Sequence, residues 1–197
     1  MLSSMKNSLH GGILNWSRYE LMKFFSNFRV SAGWIFFLLV AFIGEIHSYW
    51  PLLFVILGET MRTIASGTII KNEKLSTFGL YGIIRHPLYL GSMFISLGFC
   101  MMCNNPILWI YWVILFPICY YSAITIEEMS LSKKFGKEFL DYKNRVPSFF
   151  PIKFRSPVMM KDTFSWTLVK KNKEYYNWMI LITIFLLILL KSVSKSR

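Results

Sequence analysis

One short segment, residues 79–91, combines several side chains that could bind a polar ligand. It reads GLYGIIRHPLYLG and ends where a long apolar run begins. Pro87 suits the first turn of a helix, whose free N–H groups favour an anionic or carboxylate group. Tyr81 and Tyr89 can stack on a flat ring and still offer a hydroxyl, and Gly91 permits close approach of backbone or ligand. A nucleoside with an amino-acid tail would suit these features. Taken alone, however, the residues favour a simpler basic, aromatic turn at a membrane interface.

Two adjacent carboxylates, Glu127 and Glu128, follow another apolar run. Charged pairs at a membrane boundary are costly unless they are solvated, paired or used. One of the two could accept hydrogen bonds from a ribose, hold an ammonium group or take a proton. A solvated helix end is the common alternative, and the sequence leaves both open.

A second pair of charged residues, Glu59 and Arg62, lies inside an apolar run. Their spacing of three residues would let them pair on one face of a helix. An ionisable residue inside a membrane segment is a candidate for function. A purely structural ion pair explains the two residues equally well.

The composition favours a membrane protein. Hydrophobic residues make up 54% of the 197 residues and charged residues 16%, below the roughly 25% typical of soluble domains. The net charge of +12 fits the basic loops of a membrane protein better than a nucleic-acid binder, because no soluble basic domain is evident. Cys100, Cys103 and Cys119 lie in apolar stretches without a second pair of ligands, so we expect no metal site.

The apolar runs predict an all-α fold, a polytopic transmembrane helical bundle of about five spans, because a helix satisfies its own backbone hydrogen bonds in hydrocarbon. The residues before the first span form either an amphipathic helix on the membrane surface or a loose basic leader. The amphipathic segment covers residues 13–29, and the predicted spans cover 30–46, 52–70, 88–103, 107–126 and 178–190. The last run is short enough that it could instead lie at the interface.

The distribution of Lys and Arg predicts the orientation. They number four before the first span, three in residues 71–86 and eleven in residues 127–173, with none in the turns 47–51 and 104–106. The positive-inside rule therefore places the basic segments, and the candidate site with them, on the cytoplasmic side of a multi-pass protein. The basic C-terminal tail conflicts with a fifth span.

Three elements of the sequence, taken in order, resemble a known family. They are GLYGIIRHPLYLG, the EE of EEMSL, and FGKEFLDYKNRVPSFFP, with a predicted helical hairpin between the first two. This pattern resembles isoprenylcysteine carboxyl methyltransferases and their phospholipid methyltransferase relatives, with a weaker echo at Gly58, Glu59 and Arg62. It divides the chain into residues 1–71 with two spans, a catalytic core at 72–152, and residues 153–197 with a basic segment and a transmembrane or interfacial helix.

The resemblance implies a membrane-embedded methyltransferase that binds S-adenosyl-L-methionine from the cytoplasm, releases S-adenosylhomocysteine and admits a lipid-like or prenylated acceptor from the bilayer. The stretch Glu73–Ser76 is placed like an upstream cofactor loop. By position, the resemblance assigns cofactor contacts to Leu75, Ser76, Tyr81, Arg85, His86, Pro87, Leu88, Tyr89, Gly91 and Glu128. Glu127 is similar to the family's catalytic or substrate-side glutamate, and Arg62 and Glu59 are assigned to the acceptor, Arg62 also as a catalytic residue.

One departure from the family bears on the acceptor. Prenylcysteine enzymes have an arginine four residues before the glutamate, where this chain has Ala123, and Arg62 is the candidate to replace it. We expect carboxyl O-methylation of an isoprenylcysteine-type acceptor. The alternative is N-methylation of a phospholipid amine, with Glu127 taking the proton. A non-catalytic transporter or assembly factor would also explain Glu59 and Arg62, but no inverted repeat is evident.

Overall fold

The computed structural model describes residues 12–70, 74–150 and 164–195, and every regular element in these ranges is helical. The all-α prediction is therefore confirmed. In chain order the elements are α1 (Gly12–Ile43), α2 (Leu52–Ser66), a 3-10 turn (Gly79–Gly82), α3 (Pro87–Cys103), α4 (Pro106–Phe135), α5 (Lys137–Arg145), α6 (Trp166–Lys171) and α7 (Glu174–Lys195).

Three of these helices are long and apolar enough to cross a membrane: α1 from Ser17 onward, α4 and α7. The segment predicted to lie on the membrane surface and the first predicted span form one continuous helix, which corrects the prediction of two separate elements. No proline interrupts this stretch, so its backbone hydrogen bonds continue from turn to turn. The amphipathic beginning of α1 is thereby fixed rigidly to its membrane part.

The helices α2 and α3 lie antiparallel and in close contact. A Cβ added to Gly58 would lie 2.5 Å from the carbonyl oxygen of Gly91, and one added to Gly98 would lie 2.7 Å from Val55 Cγ2. Small residues of this kind let helix backbones approach closely in membranes. α2 ends at Ser66, four residues before the predicted end of its span, because Gly67 caps it.

The core lies where α1, α2, α3, α4 and α7 converge. Its buried members come from all five helices and include Val40, Val55, Phe99, Leu108 and Ile188. The three cysteines are free and buried. Many large apolar side chains, among them those of Phe42, Leu53, Ile110 and Leu190, are exposed on the outside of the bundle, as expected for a surface in contact with lipid.

Two turns fix the positions of the site residues. Asn104 adopts a left-handed conformation and Asn105 caps α4 by accepting a hydrogen bond from the N–H of Ile107, which confirms the predicted turn between α3 and α4. α4 then continues past the carboxylate pair to Phe135 and ends at Gly136, which caps it at φ +50°. The short helix α5 begins directly afterwards and turns back under the start of α3.

Candidate functional site

The first and third sequence elements meet in the structure. The backbone N–H groups of Arg85 and His86 donate to the carbonyl oxygens of Pro147 and Ser148, at 2.9 and 3.2 Å. The guanidinium of Arg85 also donates to the carbonyl oxygen of Lys143, at 2.9 Å. The segment that follows α5 therefore braces the turn that opens α3.

Glu128 connects this turn to α4. Its carboxylate lies 2.7 Å from Arg85 Nη2, 3.2 Å from His86 Nε2 and 2.8 Å from Lys143 Nζ. The side chains of Arg85 and Glu128 are only 9% and 11% exposed, so this ion pair is largely shielded from water. These contacts engage both oxygens of Glu128, which does not line the cavity described below, so its cofactor contact stays a prediction.

Glu127, the other carboxylate, is more accessible, with 42% of its side chain exposed. It accepts a hydrogen bond of 2.6 Å from the hydroxyl of Tyr89, and His86 Nδ1 lies 3.9 Å away. The ring of Tyr89 stacks on the His86 ring with centroids 5.5 Å apart and meets Tyr120 edge-on at 5.4 Å. The start of α3 and the acidic part of α4, which carry the first two sequence elements, are therefore in direct contact.

Arg29 of α1 is a residue of this site that sequence reasoning missed. It donates a hydrogen bond to the Tyr89 hydroxyl, and its guanidinium carbon lies 4.8 Å from the centre of the Tyr89 ring. From the sequence it was counted only among the basic residues ahead of the first span. Its one local signal is that it is the last charged residue before that apolar run.

A cavity of about 350 Å³ opens beside these residues, and we name it the polar cavity. Its cations come from α1, the link, the turn and α4: Arg29, Lys74, Arg85 and Lys134. Nine predicted residues line it: Leu75, Ser76, Tyr81, Arg85, His86, Pro87, Leu88, Tyr89 and Glu127. Glu73 of the predicted upstream loop lies outside the described residues.

The Tyr81 side chain brings a polar group without a partner among the described residues to the wall of the polar cavity. Its hydroxyl is buried and has no hydrogen-bond partner within the described ranges. Burial raises the pKa of this phenol, so the group stays protonated and able to donate. Tyr142 of α5 holds the turn in place by donating to the carbonyl oxygen of Tyr81 at 2.7 Å. A buried, unpaired donor is costly unless a ligand or water pairs with it.

A second cavity, of about 430 Å³, lies between the helices, and we name it the apolar cavity. Aromatic residues of α1 and α4, such as Phe37, Trp112 and Phe116, form much of its wall. Its polar groups include Arg62, Asn172, Glu174 and Asn177. Three residues, Arg29, Leu88 and Tyr89, line both cavities, so the two cavities meet at the start of α3.

The predicted pairing of Glu59 with Arg62 is corrected by the structure. Arg62 Nε donates to Glu174 Oε1 at 2.8 Å, and its Nη1 donates to Ser92 Oγ at 2.6 Å. Glu59 instead accepts a hydrogen bond from Asn177 Nδ2. Both partners belong to α7, which packs against α2 and offers groups that spacing along α2 alone could not reveal.

Gly91, predicted as a cofactor contact, lies in the interface between α2 and α3. A Cβ at this position would lie 2.6 Å from Arg62 Cγ and from the carbonyl oxygen of Gly58. The requirement for glycine here comes from helix packing, which also sets where Arg62 lies.

Comparison with known proteins gives the family. The sequence pattern of the phospholipid methyltransferase family matches residues 28–138, more than half of the chain. The chain belongs to this family. The matched stretch contains Arg29, α2, α3 and α4, including the adjacent glutamates Glu127 and Glu128. With three helices able to cross a membrane, family membership supports a membrane protein.

Curated relatives are named protein-S-isoprenylcysteine O-methyltransferase. The protein from Rattus norvegicus is 37% identical over 112 residues, which are 51% of this chain and 39% of that protein. The Homo sapiens protein is 36% identical over the same shares. The Arabidopsis thaliana protein, form B, is 34% identical over 129 residues, 57% of this chain and 66% of that protein. The chain thus spans about two fifths of the two animal proteins. No solved structure matches it significantly.

Proposed function

We propose that this protein is a multi-pass membrane methyltransferase that transfers a methyl group from S-adenosyl-L-methionine to the carboxylate of an isoprenylcysteine-type acceptor on the cytoplasmic side. The observation that carries the proposal is the meeting of two cavities at Arg29, Leu88 and Tyr89. The polar cavity has several cations and Glu127 in its wall, which suits a nucleoside amino acid, whereas aromatic side chains form much of the wall of the apolar cavity, which suits a prenyl chain.

The polar cavity fits the methyl donor in size and chemistry. Its volume of about 350 Å³ lies within the roughly 300–1,000 Å³ typical of small-molecule sites. Pro87 and Leu88, at the N-terminus of α3, line it, and a helix N-terminus favours a carboxylate such as that of an amino acid. The unpaired hydroxyl of Tyr81 can donate to a ligand oxygen or nitrogen, and Glu127 can accept from a ribose hydroxyl or an ammonium group.

The apolar cavity fits the lipid part of the acceptor. Its aromatic and aliphatic lining removes a prenyl chain from water, which is worth about 25 cal/mol per Å² of apolar surface buried. Because the cavity lies among α1, α4 and α7, an acceptor can enter from the bilayer rather than through the polar cavity. The acceptor head group then reaches the shared wall at Tyr89.

Bound S-adenosyl-L-methionine supplies an electrophilic sulfonium methyl group; as an acceptor oxygen bonds to that carbon, the carbon–sulfur bond breaks and its electron pair stays on sulfur. The chain's residues mainly align the two reactants and exclude water, which accounts for most of the rate in such transfers. An ionised carboxylate needs no general base. The Glu127–Tyr89 pair therefore orients the acceptor and fixes the wall between the cavities.

N-methylation of a phospholipid amine is the second candidate, and the match to the phospholipid methyltransferase family pattern favours it. Ala123 leaves α4 without a cation one turn before Glu127, so an amine would meet no repulsion from that position. Here Glu127 would accept the amine proton directly or through water.

The test is a methyl-transfer screen with labelled S-adenosyl-L-methionine and the detergent-purified full chain. The acceptors are a farnesylcysteine derivative, phosphatidylethanolamine and a total lipid extract. We expect S-adenosylhomocysteine to bind and the farnesylcysteine acid to accept label. Transfer to phosphatidylethanolamine alone would select the second candidate. Absence of both binding and transfer would leave the chain a non-catalytic membrane protein.

A further inference from the structure

If the apolar cavity holds the acceptor, it needs a group that distinguishes one acceptor head group from another. Three of its lining residues are cationic: Arg29, Arg62 and Lys173. Only Arg29 also lines the polar cavity. A residue that lies on the shared wall is within reach of an acceptor head group that faces the methyl donor. The other two cations lie on the apolar cavity alone.

The charge of Arg62 is already balanced. Glu174 lies 2.8 Å from its Nε, and both side chains are mostly buried, at 19% and 6% exposed. Ser92 and the carbonyl oxygen of Leu88 accept from its Nη1, at 2.6 and 3.4 Å. An anionic ligand at Arg62 would have to compete with Glu174 for the same guanidinium, which is unfavourable because the displaced carboxylate would be left buried without a partner.

Arg29 differs from Arg62 in its partners. Arg29 contacts Tyr89 through a hydrogen bond to the hydroxyl and a cation–π contact with the face of the ring. Among the described residues no carboxylate lies within ion-pair distance of it. Glu127 is connected to Arg29 only through the Tyr89 hydroxyl, which accepts from Arg29 and donates to Glu127. A half-buried guanidinium at the beginning of a membrane segment is stabilised by an anion, and it has five N–H donors of which one is engaged here.

We propose that Arg29, rather than Arg62, binds the carboxylate of the proposed acceptor. The use of this contact in methyl transfer rests on the proposed function, whereas the binding of the carboxylate by Arg29 does not. A guanidinium can hold a carboxylate through two parallel hydrogen bonds. Two of the roughly four lone-pair positions of the carboxylate remain, so one oxygen stays able to attack the methyl carbon.

Tyr89 gives this arrangement its geometry. The ring supports the guanidinium by a cation–π contact at 4.8 Å and is itself held between His86 and Tyr120. The hydroxyl keeps Glu127 on the side of the polar cavity. The like charges of Glu127 and the acceptor carboxylate are thus separated by Tyr89, with Arg29 on the acceptor side.

The test compares binding of farnesylcysteine acid with that of its neutral carboxamide, in the presence of S-adenosylhomocysteine and with the full chain in detergent. Wild type is expected to prefer the acid. Arg29→Gln is expected to weaken acid binding by about 10- to 100-fold, the usual worth of hydrogen bonds to a charged group, and to leave carboxamide binding unchanged. Arg29→Lys keeps the positive charge but cannot form two parallel hydrogen bonds, so its affinity for the acid should lie between those of wild type and Arg29→Gln.

Arg18→Gln is the matched control, because Arg18 is exposed on the same helix about 16 Å away. It should bind both compounds like wild type. The proposal is overturned if wild type does not prefer the acid, or if Arg29→Gln and Arg29→Lys keep the wild-type preference. It is also overturned if Arg29→Gln weakens S-adenosylhomocysteine binding, measured alone, as much as acid binding. If methyl transfer is absent from wild type, the binding ratio still decides the role of Arg29.

Discussion

The hydroxyl of Tyr89 lies between Arg29 and Glu127: it accepts a hydrogen bond from the arginine and donates one, 2.6 Å long, to Oε2 of the glutamate. The Tyr89 ring is held separately, by stacking on His86 and by its edge-on contact with Tyr120. The hydroxyl can therefore be removed while the ring stays in place.

The variant Tyr89→Phe tests this link. We expect kcat to fall about tenfold, the worth of one hydrogen bond to a charged group, because Arg29 and Glu127 lose their common partner. Affinity for S-adenosylhomocysteine should change less than about threefold, since the ring and backbone of the polar cavity remain. Steady-state kinetics and calorimetry measure the two effects. Tyr121→Phe, on the exposed outer side of α4, is the control, and an equal fall in both variants would contradict a specific role for Tyr89.

Two side chains that line the polar cavity, those of His86 and Glu127, give a sharper prediction. Glu127→Gln and His86→Ala should each abolish methyl transfer from labelled S-adenosyl-L-methionine while the protein still inserts and folds. Glu127 is 42% exposed on its side chain, so the amide costs little stability. Glu45→Gln removes a carboxylate just after the C-terminal end of α1, where it pairs with Lys195, and should keep full activity. Wild-type rates in both site variants would refute the assignment.

Glu128 should matter for stability more than for chemistry. Glu128→Gln leaves Arg85 and Lys143 without their carboxylate, and the Arg85 side chain is only 9% exposed. Breaking such a pair costs about 3–5 kcal/mol, which is roughly a 10 °C fall in melting temperature for a chain of this size. Thermal unfolding in detergent measures it against Glu138→Gln, an exposed carboxylate on α5. Equal melting temperatures for the two variants would show that the cluster is not needed to hold the turn.

The parts of the site that the sequence predicted are those that lie close together along the chain. His86 and the first three residues of α3, Pro87, Leu88 and Tyr89, are consecutive, so any helix beginning at Pro87 places them around one opening. The contact of Tyr89 with Glu127 follows from the hairpin that α3 and α4 form. The sequence marks the turn of this hairpin clearly with two asparagines and a proline.

The parts that sequence reasoning missed depend on packing between distant helices. The partner of Arg62 is Glu174, 112 residues later, in a segment that the family resemblance does not cover. Arg29 reaches Tyr89 only because α1 packs along α4, and no periodicity within α1 indicates this. Charged residues inside a membrane segment can be recognised from sequence as needing partners, but the sequence does not identify those partners.

The close contact between α2 and α3 gives a last prediction, which needs no assumption about the reaction. A Cβ at Gly91 would lie 2.6 Å from both Arg62 Cγ and the Gly58 carbonyl oxygen, so Gly91→Ala must push the helices apart or move Arg62 away from Glu174. Overpacking of this kind costs about 1–3 kcal/mol. Gly33→Ala on α1 is the matched control, because nothing lies within 4 Å of the added atom, and its unfolding should not become easier. If Gly91→Ala unfolds at the same temperature as Gly33→Ala, the two helices are less tightly packed than the structure indicates, and the position of Arg62 does not depend on this glycine.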